Sequence, residues 1–284
     1  MHKNTYKLCA FPLVMGIFGA FLRWVQLGRA VEEDTGLFIS GSPWSWAMAV
    51  FLAAVAAALF FLVRAKKAPG FPDAYPAVYA GGGRSMKVLS ILAGILLAAG
   101  GVLTIVYAMH TAATAPANIN GTTDYTPVFD LALGLFAVVC GIAAPSFVIS
   151  ASKPKPDRGY GKSAIVVLFL CFWLIAAYKY SADDPVVWNY AVRLLAVAAT
   201  ILAFYYAAGF VYEKPHPLPA LYFCQLSAFL CTITLADSYP AGEQMIVFAF
   251  ILLTTLLSAL QLKNAGSQIC GSGEAAAPGD AENE

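Results

Sequence analysis

The sequence predicts an all-α protein, a polytopic integral membrane helix bundle of about eight transmembrane helices. Three observations carry that expectation. Apolar residues make up 60% of the 284-residue chain and charged residues only 12%, about half the charged fraction of an ordinary soluble domain. The apolar residues gather into eight runs, each long enough to cross a hydrocarbon core of ~30 Å as an α-helix. The connections between runs are alternately rich and poor in Lys and Arg, as an even number of spans requires.

The runs lie at about 8–27, 45–64, 87–109, 127–151, 163–180, 187–212, 219–239 and 244–262. They form one transmembrane domain over 1–264, followed by a small acidic tail over 265–284 that is predicted to be disordered. Thirteen of the seventeen Lys and Arg fall at the N-terminus, in the even-numbered connections or after the last run. The other four are Arg23, Arg29, Lys179 and Arg193, at or near the opposite helix ends. The positive-inside rule therefore predicts a cytoplasmic (inner) membrane protein with both termini in the cytoplasm.

The first run follows Lys3 and Lys7, as a signal peptide would, but it is too long for one. It also carries Arg23 and Gln26, and no small-x-small cleavage site follows, so it reads as a permanent helix. Gly16, Gly19, Ala20, Arg23, Gln26 and Leu27 share one face at helical spacing. Small residues there admit a neighbouring backbone, and Arg23 either faces the bundle interior or snorkels to the interface. The loop after it holds Glu32, Glu33 and Asp34, with a turn at Asp34-Thr35-Gly36. That cluster reads as a cation site at the outer mouth, or simply as an outer loop from which Lys and Arg are excluded.

The second run opens with Ser42-Pro43-Trp44, a serine cap and a first-turn proline. Trp24, Trp44, Trp46 and Trp188 all fall near outer boundaries, as an interfacial belt would, while Trp173 is mid-span. The following connection, 65–85, combines three prolines, basic residues and Gly81-Gly82-Gly83. It has no nucleotide-binding spacing and reads as an irregular basic loop beside anionic headgroups. Asn120-Gly121-Thr122 is a glycosylation sequon that matters only in a glycosylating compartment. Asp183-Asp184-Pro185 gives the third outer loop the same acidic character as the first. Runs two and six both open with Pro and Trp after an acidic loop and lead into alanine-rich helices. That pattern fits two parallel four-helix repeats, although Pro and Trp are common at helix starts.

Ionisable residues in the spans are few. Arg23, Asp130, Arg193 and Asp237 all fall in the outer part of the membrane, and they are the candidate binding residues. Asp130 aligns with Gly134, Ala137, Gly141 and Pro145, and Arg193 aligns with Ala196, Thr200, Ala203 and Ala207. Asp237 continues a stripe of Cys224, Ser227, Cys231 and Thr234, and the last span adds Thr254, Ser258 and Gln261. Two cations and two anions at one depth either neutralise one another or line an outward polar cavity for a small charged solute. Asp130 and Asp237 are the expected partners of the two arginines.

No catalytic residues, metal ligands or cofactors are expected. His2, His110 and His216 are far apart, and no metalloprotease motif, nucleophile elbow or nucleotide-binding loop is present. Five of the six cysteines fall in spans, where thiols act as small apolar residues. A net charge of +1 gives no reason to expect nucleic acid. The expected partners are the lipid bilayer, other membrane proteins and a small-molecule ligand of unknown identity.

Arg23-x-x-Gln26-Leu27 followed by Asp34-Thr35-Gly36-Leu37, and later Tyr206-x-x-Gly209-Phe210 before a Pro-rich turn, resembles uncharacterised multi-pass membrane proteins of the clostridial type. The resemblance extends over most of the chain. It implies a polytopic bacterial membrane protein and no activity, and it transfers no functional residue. Two functions stay open: binding or translocation of a small solute through the outer polar layer, and a structural, regulatory or assembly role without transport.

Overall fold

A computed structural model of the chain describes residues 2–32, 38–39, 41–65, 74–79, 83–114, 126–151, 160–181, 186 and 189–265. The described residues form an all-α bundle whose helices are α1 (His2–Arg29), α2 (Pro43–Arg64), α3 (Tyr75–Tyr79), α4 (Arg84–Thr114), α5 (Thr126–Ala151), α6 (Tyr160–Ser181), α7 (Ala191–Val211), α8 (Pro217–Thr234) and α9 (Ala241–Asn264). All but α3 are long and apolar enough to cross a membrane. The protein is a multi-pass membrane protein set in a lipid environment. Glu33, Asp34, the Asn120 sequon, Asp183, Asp184, Trp188, Gly81, Gly82 and the tail beyond 265 lie outside the described residues.

Close packing follows the small residues. The α4–α5 seam is built on glycines: a Cβ at Gly94 would stand 2.5 Å from the Gly141 carbonyl oxygen, and one at Gly101 would stand 2.6 Å from that of Gly134. No side chain fits either gap, so the two backbones touch, as small residues permit in membranes. Pro145 lies within α5 at this seam. A proline has no N–H to give the residue four positions earlier, here Gly141, whose carbonyl is the one turned toward Gly94. The small face of α1 meets α8, with Gly16 against Thr232 and Gly19 against Ile233. Gly100 of α4 meets Gly242 and Ile246 of α9.

α8 and α9 are the most enclosed of the spanning helices and α2 the least. The centre is filled by rings from three helices. Phe169 and Trp173 of α6 stack on Phe250 of α9, with centroids 6.0 and 5.9 Å apart, and Phe204 of α7 meets the same ring edge-on at 5.8 Å. The outward faces carry large apolar groups, among them Phe18, Phe21, Val50, Phe61, Ile95 and Ile142. Exposure of that kind suits lipid rather than water. Trp24 and Trp46 project outward, whereas Trp173 is buried.

Two expectations need correction. The loop 65–85 is not irregular throughout: α3 lies within it, and Tyr75, Val78 and Tyr79 are buried in the main core. Tyr79 Oη accepts a hydrogen bond from Gln261 Nε2 at 2.8 Å, and Asn264 Nδ2 donates to the Val78 carbonyl at 2.6 Å. The Tyr75 hydroxyl donates to the Phe147 carbonyl. The aromatic residues thus override the neighbouring prolines by finding a slot against α5 and α9. The second correction concerns the seventh run, expected to reach 239. α8 stops at Thr234, because the chain turns there and Asp237 N–H bonds the Thr234 carbonyl at 3.1 Å.

The packing pattern does not repeat between the two halves. α7 packs extensively on its successor α8, whereas α2 packs on α1 and α8.

Candidate functional site

The C-terminal ends of α1 and α8 and the N-terminal ends of α7 and α9 bring four ionisable side chains together. Arg23 sits between one and two turns before the end of α1 and is 1% exposed. Its three nitrogens reach three separate elements: Nε donates to Asp237 Oδ1 at 2.7 Å, Nη1 to Gln26 Oε1 at 2.9 Å and Nη2 to the Asn189 carbonyl. Gln26 passes the network on, its Nε2 donating to Ser45 Oγ of α2 at 3.1 Å. Phe38 closes over the guanidinium with its ring centroid 5.7 Å from Cζ. It is held there by the short Val31–Phe38 bridge and by Ile39 N–H on the Ala30 carbonyl. The arginine therefore faces the bundle and does not snorkel.

Asp237 occupies the turn between α8 and α9. The Tyr239 N–H and the Gln244 side chain both bond its carbonyl, at 3.0 and 3.1 Å. Burial raises its carboxyl above the ordinary range, and the Arg23 charge pulls in the opposite direction without cancelling the rise. Tyr239, beside it, is pushed up to about 12 by burial and by the Asp237 charge. Its phenol stays protonated at physiological pH.

Arg193 starts α7 and is buried. Its guanidinium lies over the Tyr239 ring, 4.2 Å from the centroid, and its Nη2 pairs with Glu243 Oε2. The expected partner, Asp130, is not the one it takes. Glu243 was missed because the last apolar run was started at 244. The readable signal was its place three residues after Pro240, in the first turn of a helix, where carboxylates are favoured by the helix dipole. Tyr239 bridges the two ion pairs: its neighbour Asp237 binds Arg23, and its own ring carries Arg193.

Asp130 lies apart from both guanidinium pairs. With Glu243, His110 and Thr104 it lines a half-open cavity of about 330 Å³ between α4, α5 and the start of α9, whose other walls are apolar. So Arg23, Asp237 and Arg193 share one network, while Asp130 lines a cavity with Glu243, the partner of Arg193.

The helical stripes meet as their spacing requires. Thr200 Oγ1 of α7 is 2.7 Å from Ser227 Oγ of α8 and 3.5 Å from Cys231 Sγ. The α5 stripe below Asp130 packs on α4 through Gly134 and Gly141. Among the described residues no group of three or more His, Cys, Asp or Glu is placed to hold a metal ion. Chemically, the Arg23–Asp237 centre is a closed clasp, and the Asp130–Glu243 cavity is the part that a solute can reach.

Comparison with known protein families, with curated proteins and with solved structures finds no match.

Proposed function

We propose that this chain is a bacterial cytoplasmic-membrane protein, with both termini in the cytoplasm, that binds a small organic cation at its outer face. The observation that carries the reading is the half-open cavity with Asp130 and Glu243 in its wall. The Asp130 carboxylate, beside the Arg193-paired Glu243 in a mainly apolar wall that also holds Thr104 and His110, favours a ligand with an ammonium head and an apolar body. Lys179, whose Nζ sits 3.9 Å above the Phe129 ring, is not among the lining residues. Orientation rests on the distribution of Lys and Arg, and the bacterial assignment on the resemblance to clostridial-type proteins.

Binding is favoured over passage. Phe250 lies seven residues along α9 from Glu243, about 10 Å deeper, and its contacts with Phe169, Trp173 and Phe204 fill the bundle there. The two guanidinium pairs act as structure in this reading and hold the cavity walls in register.

The test is thermal unfolding of the purified protein with a series of alkylammonium ions and with alcohols of the same chain length. Stabilisation by the ammonium members alone, reduced in Asp130→Asn, supports the reading. Equal effects of ammonium and alcohol, or an unchanged response in Asp130→Asn, overturn it. A second reading, a structural or assembly subunit without ligand, is favoured by the complete enclosure of Arg23. It takes precedence if no cation stabilises the protein.

A further inference from the structure

The opposite end of the bundle carries a second, larger cavity that the outer polar layer does not touch. It measures about 560 Å³ and lies between the start of α6 and the α7–α8 turn. Its apolar floor is formed by Ala164, Val167 and Ala208 and its rim by Tyr205, Tyr212, Lys214 and His216. Apolar depth with an ammonium, an imidazole and phenols at the rim matches a lipid, whose acyl chain and headgroup differ in the same way.

The rim is held in place by backbone geometry. α7 ends at Val211, and the chain reverses so that Lys214 N–H bonds the Gly209 carbonyl at 2.9 Å. Reversal requires Glu213 to take φ +58°, a left-handed conformation that a residue with a Cβ seldom adopts. It also requires a glycine at 209, where a Cβ would stand 2.8 Å from the Lys214 carbonyl oxygen. Together these bring Lys214 and His216 to the cavity mouth, while Glu213 is not among its lining residues. Tyr206 forms the far wall, edge-on to the His216 ring at 6.1 Å and stacked on Phe223 at 5.5 Å.

Beyond Tyr206 lies a further groove of about 370 Å³, also apolar, with Arg64 as its cation. Arg64, Lys214 and His216 belong to the end of α2, the α7–α8 turn and the start of α8, which share one face of the bundle. Cations on both sides of one tyrosine, each beside an apolar groove, give charge complementarity to phosphate beside acyl chains.

We propose that this cavity binds an anionic glycerophospholipid, with the phosphate at Lys214 and His216 and an acyl chain along Ala164, Val167 and Ala208. The site is independent of the outer cation cavity, and loss of either leaves the other intact. Lys214 and His216 are exposed, so replacing them leaves the fold undisturbed.

The experiment measures the melting temperature of the full chain in neutral detergent with added phosphatidylglycerol, phosphatidylcholine or inorganic phosphate. Phosphatidylglycerol should stabilise the protein more than phosphatidylcholine, and inorganic phosphate should do nothing. Lys214→Gln combined with His216→Gln should weaken the apparent affinity for phosphatidylglycerol about fivefold to tenfold. Lys87→Gln, which removes an exposed cation outside the cavity, should leave it unchanged. Gly209→Ala should weaken it with every charge retained, because the turn has to move. A phosphatidylglycerol preference that survives the double substitution, or that Lys87→Gln removes equally, overturns the proposal. So does equal stabilisation by inorganic phosphate, which would assign the rim to a soluble anion.

Discussion

Asp237→Asn tests the clasp that joins α1 to the turn between α8 and α9. The substitution keeps the size of the side chain and an oxygen able to accept from Arg23 Nε, so it removes charge and little else. Arg23 would then be a 1%-exposed cation that has lost the Asp237 carboxylate and keeps Gln26 Oε1 and the Asn189 carbonyl among its acceptors. Breaking one side of a buried ion pair costs about 3–5 kcal/mol. The retained neutral acceptors place this case at the lower end, about 3 kcal/mol. Arg23→Gln alone should cost a similar amount, since it leaves the Asp237 carboxylate buried with the more distant Arg193 as its cation. The double variant should lose less than the sum, with a coupling of about 1–3 kcal/mol. Arg23→Lys should not rescue, because a single ammonium cannot span the three acceptors that the guanidinium fork reaches. The assay is equilibrium unfolding in mixed detergent micelles, followed by circular dichroism. A cost below about 1 kcal/mol for Asp237→Asn, with additive behaviour in the double variant, would show that water reaches the pair and would refute the reasoning.

Glu243→Gln should cost about 3 kcal/mol for the same reason, by stranding Arg193, while Asp130→Asn, on the partly exposed cavity wall, should change stability by less than about 1 kcal/mol; unfolding midpoints measured side by side decide it. Gly94→Ala and Gly101→Ala should each destabilise by about 1–3 kcal/mol through overpacking against carbonyls 2.5 and 2.6 Å from the new Cβ. Gly161→Ala, with nothing within 4 Å, should be neutral in the same assay. Single cysteines at Thr35, Thr123 and Ser181 should react with impermeant thiol reagents outside intact cells, and those at Ala68 and Gly159 should not. Labelling of Gly159→Cys from outside would overturn both the orientation and the span count.

Much of this arrangement was legible in the sequence because membrane burial leaves a coarse signal. A run such as 127–151 has no soluble alternative, and α5 occupies 126–151. Arg23 and Asp237 could be matched because an uncompensated charge at that depth is costly, so a cation in one span implies an anion at similar depth in another. Glu243 escaped for want of a sharp boundary: hydropathy fades over the first turn of α9, where the carboxylate sits. The same blurring carried the seventh run through Leu235 and Ala236, which are apolar but belong to a turn. α3 was illegible for a different reason. Five residues have no local pattern to read, and the slot that orders Tyr75 and Tyr79 is built by helices far away in sequence. The cavity around Asp130 was equally hidden, since its walls come from three helices and its shape depends on Gly100 meeting Gly242.

The bond between Arg23 and Asp237 joins residues 214 positions apart, and that separation has a meaning during synthesis. The first span leaves the ribosome carrying an arginine whose carboxylate has not yet been made. At about 5–20 residues per second, the partner emerges roughly 10–40 s later. Throughout that wait α1 has its own Gln26 as an acceptor for the guanidinium, but not the Asp237 carboxylate. An arginine raises the cost of moving a span from the insertion machinery into lipid. α1 is therefore expected to linger beside that machinery, and to move into place only when the turn after α8 arrives. The last step of assembly would then be the meeting of nearly the first span with nearly the last, and a chain cut short before Asp237 would carry an arginine without that carboxylate as a mark of incompleteness.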